Sequence, residues 1–376
     1  MKRFILMAAA AALLAIPAAE AQKVNKEATL SKLEKSDADI ANPKKNAKAA
    51  TWINRGRVYY DAAAEPTANL FAPMETTLLK LSVGDPTSTE EVTLNGSKAV
   101  AWNYPYFIAY ERDGKIVAWK QLQEIKEGAL DTAIEAYNKA YELDPKQASK
   151  IKNGLEQISN YASILGNVSI EAGEYLTGAE AYLAAYKAQQ CPAFGEADPA
   201  LLYYAGYLLT VDGANHPESF ARGAQALNDA LAAALGLEDP GPLGDPEGLC
   251  RMGTLASPMP LQEFAKHVCR ALQANGVRYA GDSGPVRKVA VGGGACGCYI
   301  PQAIAAGCDT FVTSDLKYND FLGTEGLNLI DAGHFPTENV VCPALRDRLA
   351  EAFPAVDVLC STSHSREIIQ YCIKEK

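Results

Sequence analysis

The chain has 376 residues, 48% of them apolar, and a net charge of -10 at pH 7. That is enough apolar material for two or three buried cores, and it excludes an intrinsically disordered chain. The acidic balance offers no basic face to a phosphate backbone, so nucleic acid is not an expected partner.

Residues 1 to 21 open with Lys2-Arg3, continue as an apolar run from Phe4 to Ile16, and close on Ala19-Glu20-Ala21. This layout predicts a cleavable secretory signal, export to a periplasmic or secreted location, and a mature start near Gln22. The run is too short to cross a bilayer, and no later segment is long enough, so no membrane span is expected. The cysteines point to a different compartment. None lies between 22 and 190, whereas Cys250, Cys269, Cys296, Cys298, Cys308, Cys342, Cys360 and Cys372 crowd the last third in an uneven set that suits cytosolic free thiols better than a disulfide framework.

From Thr51 the pattern Trp52-x3-Gly56-x2-Tyr59 appears, and a companion pattern then recurs with its lead position every 45 residues. It reads Ala133-x3-Tyr137-x2-Ala140, Gly178-x3-Tyr182-x2-Ala185 and Gly223-x3-Leu227-x2-Ala230. Fixed spacing of small and aromatic positions predicts stacked helical hairpins, each burying an apolar stripe against its neighbour. Residues 22–235 resemble exported tetratricopeptide-repeat proteins, which implies a groove for a peptide or protein partner. Tyr203, Tyr204 and Tyr207 either line that groove or pack between helices. Residues 65 to 120 break the repeat: "EEVTL" and "YPYFIAYERDGKIVAWK" alternate and turn at Asp113-Gly114, predicting a β insertion within the first repeat.

From 236 onward short strands and helices alternate. "VRKVAV" (286 to 291), "DTFVT" (309 to 313), "LNLID" (327 to 331) and "VDVLC" (356 to 360) predict strands, with helices near 299 to 307, at "DLKYNDFL", and from Pro336 to about Phe353. The order implies a parallel sheet with right-handed crossovers. The expected fold is therefore multidomain: an all-α repeat array with a β insertion, then an α/β parallel-sheet half-domain over 236–376.

Gly292-x-Gly294-x-x-Gly297 follows a strand and precedes a helix, with Asp315 further on, as in a dinucleotide fingerprint. Too few strands follow to complete two mononucleotide units, and close strand-to-helix packing is the simpler role for these glycines. Cys296 and Cys298 lack a second pair at zinc spacing. His267 and His364 suit solvent-facing or locally bonded positions. His334 and Glu338 stand apart, since the turn Ala332-Gly333 sets the imidazole at a strand end and Glu338 one helical turn further on. Spacing alone leaves two readings open: a shared ligand, or a glutamate in the field of a helix N-terminus beside a histidine that donates to a carbonyl.

"GLCRMGTL" (248 to 255), "PLQEFAKHV" (260 to 268), "VRKVAVGGGACG" (286 to 297), "TSDLKYND" (313 to 320) and "LIDAGHFPTE" (329 to 338) resemble successive motifs in the second half of the Nif-three-like family, also called GTP cyclohydrolase type 2 homologues. The resemblance runs from about Leu231 to Val358. It implies a dinuclear metal centre in a toroidal hexamer, with His334 and Glu338 as metal ligands and Asp315 and Lys317 lining the same cleft. The implied cofactor is a divalent metal, with zinc, iron and manganese not distinguished. Two departures bear on this. Asn319 stands where the family places a histidine, and the paired-histidine motif of the family's first half has no counterpart here; Asn215-His216-Pro217 falls in a repeat's inter-helix turn instead. The expectation is therefore an incomplete site that holds its ion weakly, on a metal-dependent hydrolase-like module, with an unpaired sheet edge that favours self-association. The competing expectation is an exported repeat scaffold with an inert C-terminal part.

Overall fold

A computed structural model describes residues 24–244, 248–282, 284–322 and 326–339, together with 346, 358, 359 and 369. The expected signal segment, the helix beyond Asn339, His364, Cys342, Cys360, Cys372 and most of the strand at 356–360 lie outside the described residues. The chain divides into two compact units, one of residues 1–143 and 171–173 and the other of residues 144–170 and 174–376. The compositional change at 236 falls inside the second unit.

The first unit begins with three helices, α1 (Lys26–Ala41), α2 (Pro43–Asn46) and α3 (Ala49–Ala64). An antiparallel sheet follows, made of β1 (Met74–Glu75), β2 (Ser88–Leu94), β3 (Ser97–Asn103), β4 (Phe107–Arg112) and β5 (Lys115–Gln121) in the order β1-β5-β4-β3-β2, with α4 (Thr76–Val83) after β1. The expected hairpin turn at Asp113-Gly114 is present, and a second lies at Asn95-Gly96. Both pairs have positive φ at each residue (52° and 80°, 49° and 76°), the backbone that matches the twist of a two-residue hairpin. Alternate small residues Ala99, Ala101 and Ala118 face one core with Leu94 and Tyr110. Helix α5 (Ala129–Leu143) then returns to α3. Gly56 is the contact point, since a Cβ there would sit 2.6 Å from the Tyr137 ring, so only glycine admits the tyrosine.

The second unit opens with four helices, α6 (Ala148–Glu171), α7 (Tyr175–Gln189), α8 (Ala200–Asp212) and α9 (Glu218–Ala234). They use the same device. A Cβ on Gly166 would meet the Tyr182 ring at 2.7 Å, and one on Gly206 would meet Leu227 at 2.8 Å. Asp212, buried at the end of α8, accepts the Ser219 hydroxyl at 2.5 Å and lies 3.1 Å from His216 Nδ1, so His216 is held locally. Tyr203 is buried, Tyr204 packs on Tyr182 with ring centroids 5.2 Å apart, and Tyr207 is exposed.

The α/β part contains β6 (Leu237–Pro242), β7 (Arg251–Met259), α10 (Leu261–Ala271), β8 (Arg278–Ala280), β9 (Val286–Val291), α11 (Ile300–Ala305), β10 (Thr310–Thr313), α12 (Tyr318–Leu322), β11 (Asn328–Asp331) and α13 (His334–Asn339). The sheet order is β6-β7-β9-β10-β11-β8. This corrects the expectation of a purely parallel sheet: β9, β10 and β11 are parallel, but β6, β7 and β8 join antiparallel. The central strands are buried on both faces. Val289, Val291, Val312 and Ile330 pack with Leu231, Phe264 and Val268, while Ala290, Phe311 and Leu329 face Ala303, Cys250 and Leu327. Burial on both sides is why these strands read as unbroken apolar runs.

Candidate metal centre

The three parallel strands end together, and the loops beyond them build the site. Thr313, the last residue of β10, donates its hydroxyl to Gly294 O at 2.9 Å and accepts the Cys296 N–H at 3.1 Å, which ties the glycine loop after β9 to the next strand. Gly293 N–H donates to Asn228 Oδ1 at 2.8 Å, and Asn228 Nδ2 donates to Leu249 O at 3.0 Å. From the other side Thr337 Oγ1 accepts the Gly294 N–H at 3.0 Å and donates to the carbonyls of Gly333 and His334. The loop is therefore fixed by polar contacts from α9, β10 and α13.

Helix α13 begins at His334, two residues before the expected start at Pro336. This is a correction to the local reading: His334 lies in the first helical turn, and Pro336 sits inside it, where a missing N–H costs nothing because no helical acceptor precedes it. The shift places His334 and Glu338 four residues apart on one helical face. His334 Nε2 lies 3.2 Å from Glu338 Oε1, and His334 Nδ1 lies 2.6 Å from Asp315 Oδ2. Hydrogen bonding by Asp315, reinforced by the Glu338 carboxylate, raises the imidazole pKa above its usual value.

Gly294 has φ +66°, and a Cβ on it would sit 2.7 Å from Glu338 Oε1 and 3.4 Å from His334 Nε2. The middle glycine of the fingerprint thus makes room for the carboxylate and imidazole. Asp315 has φ +56°, a backbone that costs an L-residue of the order of 1 kcal/mol and that aspartate tolerates better than most. Its neighbour Ser314 is 1% exposed, and among the described residues nothing hydrogen-bonds its hydroxyl. A left-handed backbone and, among the described residues, an unpaired buried hydroxyl thus follow one another in this turn.

The sequence candidates separate here. His334, Glu338 and Asp315 come together. Lys317 is exposed, its backbone N–H donating to Asp320 Oδ2 at 2.6 Å, and among the described residues its side chain makes no ion pair with the three. His267 Nε2 lies 3.0 Å from Leu235 O, well outside the cluster. Three groups escaped the sequence reading: Asn228, Thr337 and the Cys250–Cys296 thiol pair. The thiols share a hydrogen bond that lowers the Cys296 pKa and raises that of Cys250, whose burial raises it further. Asn228 is the only asparagine of α9, and nothing in its spacing singles it out, because its partner Gly293 lies 65 residues further along the chain.

Residues 221–366 match the Duf34/NIF3 (NGG1p interacting factor 3) family. Over 131 residues the chain is 38% identical to the GTP cyclohydrolase 1 type 2 homolog of Pseudomonas aeruginosa, covering 34% of this chain and 51% of that protein. A 93-residue stretch is 45% identical to the Bacillus subtilis protein of the same name, covering 24% and 25% respectively. The chain thus spans about half, or less, of the length of these curated relatives. Among solved structures, a Bacillus cereus protein related to NIF3 aligns with TM-score 0.29 and 36% identity over 33% of this chain and 36% of that one. A hypothetical protein of Staphylococcus aureus aligns with TM-score 0.34 and 25% identity over 39% and 64%. Tyr203 and the rest of α8 precede the matched segment.

The donor set suits part of a metal site. Two ligands about 2.0–2.1 Å from one tetrahedral ion lie about 3.3 Å from each other, close to the observed separation of Nε2 and Oε1. An acceptor behind the far ring nitrogen is the usual support of a ligating histidine. Among the described residues no group of three or more His, Cys, Asp or Glu side chains is placed to hold a metal ion, where a zinc-type site needs three or four protein ligands.

Proposed function

We propose that the NIF3-like segment is a divalent-cation-binding, hydrolase-like module in which His334 Nε2 and Glu338 Oε1 share the cation. The observation that carries this reading is the 3.2 Å pairing of those atoms with Asp315 directly behind the imidazole. Asp315 fixes the tautomer, leaving Nε2 as the ligand atom, and Gly294 keeps the space between ring and carboxylate open. The chemistry a cation would supply there is Lewis-acid activation, suited to hydrolysis of a phosphate- or amide-containing small molecule. With two protein ligands the affinity is weak, and catalysis requires further ligands to join. Calorimetric titration of the metal-free full chain with zinc and with manganese tests this: the wild type takes up one cation, and His334→Ala and Glu338→Gln each abolish the heat. Equal uptake by all three proteins ends the proposal.

A second reading concerns the helices. The glycine-to-large-side-chain contacts at Gly56, Gly166 and Gly206 support tetratricopeptide-like hairpins serving as a protein-binding scaffold, exported under the direction of residues 1 to 21. Mass spectrometry of the expressed protein, showing a mature start near Gln22, and recovery of a specific partner on immobilised full chain would support it; an uncleaved N-terminus refutes the export step. Self-association of the α/β part is consistent with exposed Tyr279, Tyr318 and Leu322, and light scattering that shows a strict monomer excludes it.

A further inference from the structure

A cavity of about 410 Å³ lies wholly within the first unit, between the ends of α3 and α4 and the connection from β3 to β4. Small-molecule sites usually measure about 300–1,000 Å³, and an apolar cavity of about 150 Å³ already holds one benzene ring, so this one admits two fused rings with a short arm. Much of its wall is apolar or aromatic. Leu70 is buried there, Tyr104 and Phe107 stack with ring centroids 4.7 Å apart and planes inclined by 25°, and Tyr106 lines the cavity beside them. The Tyr104 hydroxyl donates to Gly84 O at 3.1 Å, which pins the ring, and burial followed by the Asp85 charge pushes its pKa up to about 12, so it stays neutral. Two carboxylates, Glu65 and Asp85, also line the cavity, and among the described residues no lysine, arginine or histidine does. Glu65 is fixed from the start of α1: the Asn25 N–H donates to Oε1 at 2.7 Å and the Thr29 hydroxyl to Oε2. Both donors are neutral, so they orient the carboxylate without cancelling its charge, and about two of its four acceptor positions remain. Asp85 pairs with Lys80, whose Nζ lies 3.1 Å from Oδ1, but both side chains are exposed and such a pair contributes little.

We infer that this cavity binds a small organic cation, a primary ammonium carried on an aromatic body, with the ammonium at Glu65 and the rings against Tyr104, Tyr106 and Phe107. Charge complementarity selects the class. An anion meets two carboxylates, and a neutral occupant takes water from Glu65 without replacing its charge partner, whereas an ammonium supplies that partner and is attracted by aromatic faces as well. The aromatic wall favours a ring over the thin aliphatic stem of a lysine side chain. Every lining residue precedes the family-matched segment 221–366, so the inference stands apart from the metal-binding reading.

The test titrates the full chain at pH 7 with 2-naphthylmethylamine, which is an ammonium there, and follows fluorescence anisotropy. Neutral 2-naphthylmethanol and anionic 2-naphthoate, of nearly the same size, are the comparison probes. The amine is expected to bind, the alcohol to bind about tenfold more weakly or worse, and the carboxylate not to bind. Glu65→Gln keeps an acceptor for Thr29 and removes the charge; it is expected to weaken the amine by about tenfold while the alcohol stays within about twofold, a contrast that a merely structural role does not produce. Should that variant fail to fold, Asp85→Asn at an exposed position and Tyr106→Leu carry the test, each expected to weaken the amine by about two- to fivefold. No binding of the amine, equal binding of amine and alcohol, or tighter binding of the carboxylate overturns the inference. So does amine binding indifferent to all of the substitutions that fold, because the probe is then seated elsewhere. Tighter binding of a lysine-containing peptide blocked at its amino end overturns the small-molecule assignment and makes the occupant a polypeptide.

Discussion

The two sheets of this protein solve the same packing problem with opposite consequences. In the first unit β2 to β5 follow one another through tight hairpins, so successive connections alternate between the two ends of the sheet. In the second, β9, β10 and β11 run parallel, and each crossover returns the chain to the same edge. The loops carrying Gly294, Asp315 and His334 therefore meet at one place, which is the general location of ligand sites in open α/β sheets. Both sheets bury small and branched side chains; in the mixed one the parallel strands bring Asp315, His334 and Glu338 into contact.

The largest expected effect separates the two sheets energetically. Phe311 of β10 is completely buried, and Phe311→Ala should cost the second unit about 3–5 kcal/mol. Hydrogen exchange should show lost protection in β9 to β11 and unchanged protection in β3 to β5; equal loss in both would mean the sheets unfold as one. Next comes Gly294→Ala, where a Cβ would press on the Glu338 carboxylate in a left-handed backbone. It should cost about 1–2 kcal/mol and lower cation affinity, readable by denaturation and calorimetry together. Asp315→Asn should leave the fold intact and reduce cation affinity by about 10- to 100-fold. It also carries a pH signature in the metal-free chain. His334 has a raised pKa in the folded state, so its stabilisation is complete below the unfolded value near 6.5 and is lost as pH rises through the folded one. NMR titration of the ring should show that pKa falling in the variant. The smallest effect lies away from the site: Ser219→Ala removes a hydrogen bond to buried Asp212 worth about 1 kcal/mol. The Ser219 bond depresses the Asp212 pKa, so that contribution is present above about pH 4 and fades as pH drops through the folded value, an acid-limb difference that urea midpoints can follow.

Much of this was readable in the residues. β9, β10 and β11 appear within a residue of their sequence positions because strands buried on both faces are continuous apolar runs. The glycine-aromatic spacing located Gly56 and Tyr137 in facing helices although a whole sheet intervenes. What escaped was structure whose signal is masked by turn residues. β6, for which no strand was expected, contains Pro240 and Gly241; it is an edge strand with an irregularity between Glu238 and Gly241, where proline is tolerated. The start of α13 was misplaced because proline inside a first turn looks, in sequence, like proline at its beginning. Of the cluster, the approach of His334 to Glu338 was one of two readings their spacing left open, Asp315 was placed in the same cleft by the family resemblance, and Asn228 was not legible. Its role depends on α9 lying over a loop 65 residues further along the chain.

The separation of α3 from α5 by an entire sheet also has a kinetic consequence. Pairing Gly56 with Tyr137 directly would require a long intervening segment to close, and each doubling of a closing loop costs only about 0.6 kcal/mol more but delays the encounter of its ends. The tight turns at Asn95-Gly96 and Asp113-Gly114 offer a shorter route, because hairpins that form locally draw Ala64 and Ala129 together before the helices meet. Stiffening or loosening those two turns should therefore set how fast the helix pair assembles, far more than it alters how firmly the finished pair holds.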